Sequence, residues 1–366
     1  MRLRAAARLA AGNGRRWLEI ARTPAAQRGA ARVFYGHDRI ASRSEHARGG
    51  AIKLQSLAEL YPNAPRDFNL LYVVSSSLPP DFGVLLRLAR RRGARIVWNQ
   101  NGVAYPAWHG PGWEERNRPR ARALRTADHA VYQSEFCKLS ADRFLGEPAV
   151  PWEVLYNPVD TERFAPAARG GAGPTVLVGG NQSTRYRIET ALRAFSLTAR
   201  ELPDARLLVG GSLAWTRQPD PREGERFAHA LVAELGLEGR VELVGPYTQE
   251  QAPALMRRAD LLLHTQYNDA CPTVVVEAMA CGLPVVYSAS GGVPELVGPD
   301  AGVGVPAPLD WERVHPPDPE RLTEGILAVA ARLDEHAEAA RRRAVDRFDV
   351  RPWLERHREL FEELLR

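Results

Sequence analysis

The sequence predicts an α/β protein in which each half of the chain folds as a doubly wound parallel sheet. Apolar runs of strand length alternate with amphipathic helical stretches, which is typical of parallel sheets. The order Ala-Asp, apolar strand, polar loop occurs at residues 127–134 and again at 259–266, each time before a predicted helix, so the halves repeat one plan. Residues 165–174 are rich in proline and glycine and have no periodicity, and we expect them to form a linker and hinge.

Composition is that of an ordinary globular protein with a strong preference for arginine. The 366 residues are 45% hydrophobic and 25% charged, which is enough for two domains with substantial cores. Only Lys53 and Lys138 are lysines, so arginine forks are expected to bind phosphate, and lysine Schiff-base chemistry is disfavoured. The net charge of +5 is modest, and we expect no nucleic-acid partner. Three cysteines without Cys-x-x-Cys spacing indicate a reducing compartment and no structural zinc.

Residues 1–32 form a basic arm with eight arginines and the single acid Glu19. An arm of this kind can lie on an anionic membrane surface, and the alternative is a solvated tail. The chain has no run of 18 apolar residues and no apolar core of a secretion signal at its start. We therefore expect a cytoplasmic protein, with contact at the inner membrane face as the open alternative.

The first half contains three predicted strands that alternate with helices. The strands are the apolar runs 33–36, 69–74 and 95–98, and the helices are the amphipathic stretches 51–60 and 82–92, which end before Pro62 and Gly93. Loops at the carboxyl ends of parallel strands are where open α/β sheets bind ligands. The loops of this half are therefore candidates for the wall of a binding site.

Two of these loops carry candidate cleft residues. Gly49 and Gly50 precede the first helix and would let backbone amides approach a ligand, although they could equally be a plain flexible cap. The loop 99–102 ends in Asn101, whose amide can bond sugar hydroxyls, or it is a simple Asn-Gly turn. Tyr105 begins an aromatic stretch that suits a carbohydrate face or a packed lid.

The second half opens with a strand, a glycine loop and a basic helix start. The strand 175–178 runs into Gly180, and the helix is predicted from 188 to 202. Arg185 and Arg187 precede that helix, where forks and amides can hold a diphosphate leaving group. The alternative is a solvated basic helix start. Further strand-to-glycine transitions occur at 207–211 and 241–245.

The most informative stretch runs from residue 268 to residue 286. Pro272 suits a first helical position and Gly282 a left-handed residue after a helix, which predicts a short helix at 272–281 and a strand at 283–287. Asp269 lies just before that helix and Glu277 within it. The two carboxylates thus flank an anion site at a helix N-terminus, or they are a capping residue and a solvated helix residue.

This stretch resembles the motif of glycosyltransferase family 4, in which Glu-x7-Glu is followed by Ala-Met-Ala-x-Gly-x-Pro-Val-Val. Asp269 replaces the first glutamate and Glu277 matches the second. The resemblance implies that Glu277 holds the ribose of a sugar nucleotide and that Asp269 contacts the transferred sugar with an arm one methylene shorter. It covers roughly residues 33–366 and implies the GT-B architecture, two Rossmann-like domains facing across a cleft.

The resemblance also implies that the two halves of the chain bind different substrates. Residues 33–165 would form the acceptor domain and 174–345 the nucleotide-sugar domain, with a C-terminal helix at 346–366 crossing back onto the first. The helical stretch is predicted to start at 342. The remaining donor-binding candidates lie in loops and glycine turns of the second domain: Ala270, Cys271, Pro272, Thr273, Gly180, Asn181, Gly245, Tyr247 and Gly292. Gly245 and Tyr247 would face the nucleobase, and the amides near Gly292 would cap the diphosphate.

Several family positions differ in this sequence. The usual arginine and lysine of the diphosphate loop fall in register on Asn181 and Tyr186, so Arg185 or Arg187 is expected to replace the lysine, with Arg185 preferred. Asn101-Gly102 stands where many members have His-Gly, so it supplies no obvious general acid or base. No Asp-x-Asp motif occurs, and we expect arginines and helix dipoles to neutralise the diphosphate without a metal or other cofactor.

The predicted function is therefore retaining transfer of a sugar from a nucleoside-diphosphate sugar to a hydroxyl of a glycan, glycolipid or small-molecule acceptor. A nucleotide-sugar epimerase or a phosphorylase on the same architecture is an alternative, although the scarcity of lysine argues against a pyridoxal-dependent phosphorylase. The second alternative is a non-catalytic carbohydrate-binding or scaffold protein. It is motivated by the substitutions at Asp269, Asn181, Tyr186 and Asn101.

Overall fold

The computed structural model of the chain describes residues 14, 29–47, 49–79, 82–168, 170–215, 220 and 222–366. The predicted basic arm at 1–32 lies outside the described residues except for 14 and 29–32. None of the helices in the described part of the chain combines the length and the hydropathy needed to cross a bilayer.

The first sheet has five parallel strands in the order β1-β2-β3-β4-β5. Its strands are β1 (Val33–Phe34), β2 (Leu70–Val74), β3 (Arg95–Gln100), β4 (His129–Tyr132) and β5 (Trp152–Val154). Its helices are α1 (Gly50–Leu60), α2 (Phe82–Arg91), α3 (Pro106–His109), α4 (Trp113–Thr126) and α5 (Glu135–Leu145). One face packs against α2, α4 and α5 and the other against α1, so the sheet is buried on both sides. We call this part the first domain.

The second sheet has six parallel strands in the order β8-β7-β6-β9-β10-β11, in which the direction of winding reverses at β6. Its strands are β6 (Thr175–Val178), β7 (Arg206–Gly210), β8 (Val241–Gly245), β9 (Leu261–His264), β10 (Val285–Ala289) and β11 (Gly302–Pro306). Its helices are α6 (Arg185–Glu201), α7 (Glu223–Glu234), α8 (Ala252–Met256), α9 (Thr273–Ala280), α10 (Val293–Val297), α11 (Pro319–Ala331) and α12 (Leu333–Phe348). Such a reversal leaves a crevice at the carboxyl ends of the strands, where α/β proteins bind ligands. We call this part the second domain.

The internal repeat seen in the sequence has a structural counterpart. Asp128 precedes β4, and its carboxylate accepts a hydrogen bond of 2.8 Å from the backbone amide of Ile96 at the start of β3. Asp260 precedes β9, and its carboxylate accepts one of 2.8 Å from the amide of Thr175 at the start of β6. In both domains an aspartate thus fixes the beginning of the neighbouring strand.

The C-terminal region differs from the single helix predicted from residue 342. It forms α12 and a separate α13 (Val350–Leu365), because Asp349 takes an extended conformation and its carboxylate caps α13 by accepting from the amide of Arg351 at 2.9 Å. Helix α13 crosses to the first domain, where Trp353 and Phe361 join the apolar cluster beneath α1. Residues of the second half therefore complete the core of the first.

Candidate functional site

A cleft of about 1190 Å³ lies between the two domains. Its walls include the segments that follow β1 to β5 in the first domain and β6, β7, β8 and β9 in the second. The carboxyl ends of both sheets therefore face the same space, as the sequence predicts for the ligand site.

Helix α9 borders this cleft with its N-terminus. Pro272 is its N-cap in an extended conformation, and Gly282, with φ of 77°, follows its end. The helix agrees with the predicted span 272–281 to within one residue at each end. The residues around its first turn line the cleft: Asp269, Ala270, Cys271, Pro272 and Thr273. Unpaired amides and the positive end of the helix dipole are thus presented to the cavity.

Glu277 lies one turn inside α9, and its side chain borders the cleft while the residue is only 4% exposed. The side-chain amide of Gln249 donates a hydrogen bond of 2.8 Å to its carboxylate. Burial raises the pKa of Glu277 to about 7, an effect that this hydrogen bond opposes. The carboxyl group therefore titrates near neutral pH and has unused acceptor capacity.

Asp269 lies in a hydrogen-bonded loop beside a buried histidine. Asn268 is the only non-glycine residue with positive φ in the described part of the chain, and its backbone amide donates a hydrogen bond of 2.8 Å to Ser290 Oγ. The amide of Gly292 donates to the carbonyl of Asp269 at 2.8 Å. The carboxylate of Asp269 lies 3.5 Å from Nε2 of His264.

His264 was not predicted from the sequence as a site residue. Burial lowers its pKa, and the nearby Asp269 opposes this effect, so the imidazole is neutral at neutral pH. It ends strand β9 and lines the cleft. Its position at the carboxyl end of a strand, beside a predicted ligand loop, is the signal that sequence reasoning could have used.

The two arginines at the start of α6 have different environments. Arg187 lines the cleft and is buried; its guanidinium donates to the carbonyl of Asn181 at 2.6 Å, and its Nε has no partner among the described residues. Arg185, which the sequence favoured, does not line the cleft. It pairs with Glu189 at 3.3 Å and lies over the ring of Phe227. The preference for Arg185 is therefore corrected in favour of Arg187, because α6 begins three residues earlier than predicted and turns Arg185 outward.

The glycine-rich wall of the second domain divides into lining and supporting residues. Gly180, Asn181 and Tyr247 line the cleft, and the hydroxyl of Tyr247 accepts a hydrogen bond of 3.2 Å from the amide of Gly180. Gly245 and Gly292 are not on the cleft surface. The carbonyl of Gly245 accepts from the amide of Gly211, and a Cβ at Gly292 would lie 2.0 Å from the carbonyl of Ala270, so these two positions shape the wall from behind.

The wall of the first domain contains Gly49, Asn101 and Tyr105. Asn101 follows β3, which extends through Gln100 rather than ending at residue 98 as predicted. Its amide group donates to Ser76 Oγ at 2.8 Å. Gly50 lies beneath the surface, where a Cβ would be 2.2 Å from Val74, so Gly49 is the member of the pair that borders the cleft.

Lys53 is a second functional candidate that sequence reasoning missed. Its Nζ donates to the side-chain oxygens of Asn99 at 2.9 Å and Asn101 at 3.1 Å, and the residue is 4% exposed. Burial lowers its pKa to about 8. The signal in the sequence that could have identified it was a lone lysine on a predicted helix of mainly apolar residues. The lysine fixes the orientation of the Asn101 amide toward the cleft.

Two side chains of the first domain bind the segment before α9 directly. Ser134 Oγ donates to the carbonyl of Ala270 at 2.6 Å, and the amide of Asn157 donates to the carbonyl of Cys271 at 2.6 Å. From the second domain, the carboxylate of Glu295 on α10 accepts hydrogen bonds from the backbone amides of Glu135 and Phe136 at the start of α5, both at 2.8 Å. The two walls of the cleft are thus hydrogen-bonded to each other at its base.

Metal ligands are not grouped in this region. Across the residues that the structure describes, no three His, Cys, Asp or Glu side chains are placed together so that they could hold a metal ion. On the wall formed by the second domain, the groups that the cleft offers an anion include Arg187, the amides at the start of α9 and those after β6.

Comparisons with known families cover most of the chain. The profile of the glycosyl transferases group 1 matches residues 160–339, and that of Glycosyltransferase Family 4 matches residues 15–163. The two matches meet close to the predicted linker and divide the chain between its two domains.

Curated relatives named D-inositol 3-phosphate glycosyltransferase are similar over part of the chain. The protein of Mycobacterium sp. strain KMS is 31% identical over 150 residues, which is 40% of this chain and 33% of the relative. That of Salinispora tropica is 32% identical over 199 residues, 47% of this chain and 39% of the relative. The matched segment thus spans about a third of the length of these relatives.

Solved structures agree in fold over most of the chain. Sucrose-phosphate synthase from Thermosynechococcus elongatus superposes with a TM-score of 0.67 at 22% identity, covering 86% of this chain and 76% of that one. The Anabaena protein HepE in complex with UDP-glucose superposes with a TM-score of 0.64 at 20% identity, covering 86% and 88%. These neighbours confirm the predicted GT-B architecture.

Proposed function

The chain belongs to the glycosyltransferases of family 4, and from that premise we propose that it transfers a sugar from a nucleoside-diphosphate sugar to an acceptor hydroxyl with retention of anomeric configuration. One observation supports this most: Glu277, the N-terminus of α9 and Arg187 line the same wall of one cleft. A ribose needs a hydrogen-bond acceptor, and a diphosphate needs cationic and amide donors. Both are present on this wall at the end of a doubly wound sheet.

Each group then has a definite part in the proposed reaction. The Glu277 carboxylate accepts hydrogen bonds from the ribose hydroxyls, and Asp269 contacts the transferred sugar. Arg187 and the α9 amides stabilise the negative charge that develops on the leaving diphosphate. The bond between the anomeric carbon and the phosphate oxygen breaks, and the acceptor hydroxyl attacks the same face of the oxocarbenium-like centre. Its proton passes to the leaving phosphate or to solvent.

The donor part of the proposal is tested with a panel of nucleotide sugars that begins with UDP-glucose, the ligand named for the Anabaena neighbour. Release of nucleotide is followed in the wild type and in Asp269→Ala and Glu277→Ala. We expect turnover of at least one donor and a loss of about 100-fold or more in kcat/KM for both variants, as for groups that contact the reacting ligand. Glu242→Ala removes an exposed carboxylate paired with Arg258 and serves as the matched control. No turnover of any donor, or equal losses in all three variants, would argue against a transferase.

Product analysis separates the proposed transfer from the alternatives. Proton NMR of the product gives the anomeric configuration, and an inverted product would contradict retention. Conversion of the donor to another nucleotide sugar without an acceptor would indicate an epimerase instead.

We expect catalysis without a divalent metal, because the cationic groups available to the diphosphate come from the protein itself. Transfer rates measured in EDTA and in added Mg²⁺ or Mn²⁺ should agree within about twofold. A loss of activity in EDTA that Mg²⁺ or Mn²⁺ restores would contradict this expectation.

A further inference from the structure

Helix α4 of the first domain presents two arginines to the cleft, one turn apart. Arg116 and Arg120 both line the cavity, on the wall that faces the proposed donor groups. Neither forms an ion pair with a carboxylate anywhere in the described ranges. Their neighbour Arg118 is different: it is largely exposed and pairs with Glu115 at 3.5 Å. The cleft side of α4 therefore carries positive charge that the protein does not neutralise.

Arg120 is the more unusual of the two because it is only 8% exposed. One guanidinium nitrogen donates to the backbone carbonyl of Arg116 at 2.5 Å, while its buried Nε has no partner within the described residues. Burial, followed by the charge of Arg116, lowers the pKa of Arg120 to about 10, so it stays charged at neutral pH. A buried cation without an anion is costly, and such a group is expected where a ligand supplies the anion.

Two amide oxygens in the same cavity are also unsatisfied. Oε1 of Gln133 and Oδ1 of Asn157 are buried, line the cleft and have no hydrogen-bond partner in the described part of the chain. Amide oxygens accept hydrogen bonds from hydroxyl groups, whereas guanidinium groups donate to phosphate oxygens in matching fork geometry. A ligand with both hydroxyls and a phosphate would satisfy all four groups.

We propose that this wall is an acceptor subsite for a polyol that carries a phosphate monoester, with Arg120 and Arg116 binding the phosphate and Gln133 and Asn157 accepting from its hydroxyls. The inference rests on the proposed transferase function and names the class of its acceptor. The arginines belong to the domain opposite Arg187 and α9, so they are placed for the acceptor rather than for the donor diphosphate. A soluble polyol phosphate and a phosphorylated lipid headgroup offer the same chemistry.

The test measures binding to the full chain saturated with UDP, by calorimetry at fixed ionic strength. Glycerol 3-phosphate is compared with glycerol for the soluble source, and phosphatidic acid vesicles with phosphatidylcholine vesicles for the lipid source. We expect one probe with a phosphate monoester to bind and its partner without a phosphate monoester not to bind. Arg120→Gln and Arg116→Gln should each weaken that binding about tenfold or more, as loss of a charge-assisted contact predicts.

Two controls make the result specific. Arg118→Gln removes the same charge from the same helix outside the cleft and should leave phosphate binding within about twofold. The affinity for UDP alone should be unchanged in all three variants. If Arg120→Gln and Arg116→Gln weaken UDP as much as the phosphate probe, the arginines serve the donor and the proposal is wrong.

The remaining outcomes are also decisive. Failure of both phosphorylated probes to bind, or an equal loss in Arg118→Gln, would overturn the proposal. If Arg120→Gln does not fold, Arg116→Gln decides the matter alone, since residue 116 is exposed. If the wild type binds the phosphate probe but no nucleotide, the transferase function fails while the anion site stands.

Discussion

Glu277 is a cleft residue whose burial makes the folded protein less stable at high pH. In an unfolded chain a glutamate has a pKa near 4.3, whereas burial raises that of Glu277 to about 7. Between these values the folded protein binds more protons than the unfolded one, so the free energy of unfolding falls as the pH rises. Above pH 7 the buried carboxylate is therefore a cost that is relieved when donors of a ligand bind it.

Replacing Glu277 with glutamine removes this cost while keeping the shape. We expect Glu277→Gln to be more stable than the wild type at pH 8 by about 1–3 kcal/mol, and nearly equal to it at pH 5, where the wild-type carboxyl is protonated in the folded state. Urea denaturation at both pH values measures the difference. Added UDP should raise the stability of the wild type more than that of the variant.

The exposed Glu242→Gln is the control for Glu277→Gln and should show no such pH-dependent gain. A glutamine variant that is less stable than the wild type at pH 8 would contradict the conclusion that the buried, charged carboxylate of Glu277 lowers stability.

Which side chain reaches the cleft was harder to predict than which loop does. Asp269 and Glu277 could be placed because Pro272 and Gly282 fix a short helix by local backbone preferences. The sequence led to a preference for Arg185 over Arg187, whereas one extra turn of α6 decides which arginine is buried. Unpaired groups such as Arg120 are invisible in sequence, since the absence of a partner is a property of the packed structure.

A chain of hydrogen bonds connects helix α13 to the cleft through the core of the first domain. His357 on α13 donates from Nδ1 to the carbonyl of Trp353, so its Nε2 accepts from the hydroxyl of Tyr72 at 2.9 Å. The Tyr72 oxygen in turn accepts from the amide of Asn99 at 2.7 Å. Asn99 accepts from Lys53, which also holds Asn101. The C-terminal helix thus supports the orientation of a cleft residue.

Tyr72→Phe tests this chain at its centre. Loss of the hydroxyl leaves a buried amide hydrogen of Asn99 and the Nε2 of His357 unsatisfied, and we expect it to lower the free energy of unfolding by about 1–3 kcal/mol. Urea denaturation measures this change. Burial of His357 lowers its pKa to about 4, so its side chain remains neutral and cannot compensate at neutral pH.

Tyr132→Phe is the matched control for Tyr72→Phe, since Tyr132 is an equally buried tyrosine of the adjoining part of the sheet whose hydroxyl has no partner in the described structure. Its substitution should be neutral or slightly stabilising. Equal destabilisation by the two variants would show that the hydrogen-bond chain contributes nothing of its own.

Strands and helices with local sequence signals were predictable, whereas a strand end that depends on partners elsewhere in the fold was not. Residues 69–74 and 95–98 are apolar runs that became β2 and most of β3. Strand β3 continues into Asn99 and Gln100, because their amides find partners in Tyr72, Ser75 and Trp98 that only the folded sheet brings near. The strand therefore ends directly before the Asn-Gly pair at 101–102.

The two domains are joined by more than the linker that the sequence predicted at 165–174. A loop after β11 reaches from the second domain into the aromatic core of the first, where Trp311 is 9% exposed. Its ring lies 5.0 Å from that of Tyr105 and 5.3 Å from that of Phe136 between centroids. The carbonyl of Trp311 also accepts from the amide of Ala107. No periodicity in residues 306–316 indicates this contact, because its partners Tyr105 and Phe136 lie far away in the sequence, in the first domain.

Trp311→Ala should therefore change how the domains are held together more than it changes either sheet. We expect a larger radius of gyration by solution X-ray scattering without ligand, because truncation removes a buried aromatic anchor between domains that would otherwise be free to rotate. Saturation with UDP and an acceptor should restore the wild-type value, at the expense of a higher KM for the acceptor. Trp152→Ala, which removes a tryptophan that is 46% exposed on the first domain, is the control and should leave both quantities unchanged. Identical scattering from the two variants would mean that the hydrogen bonds of Glu295, Ser134 and Asn157 suffice to keep the cleft closed.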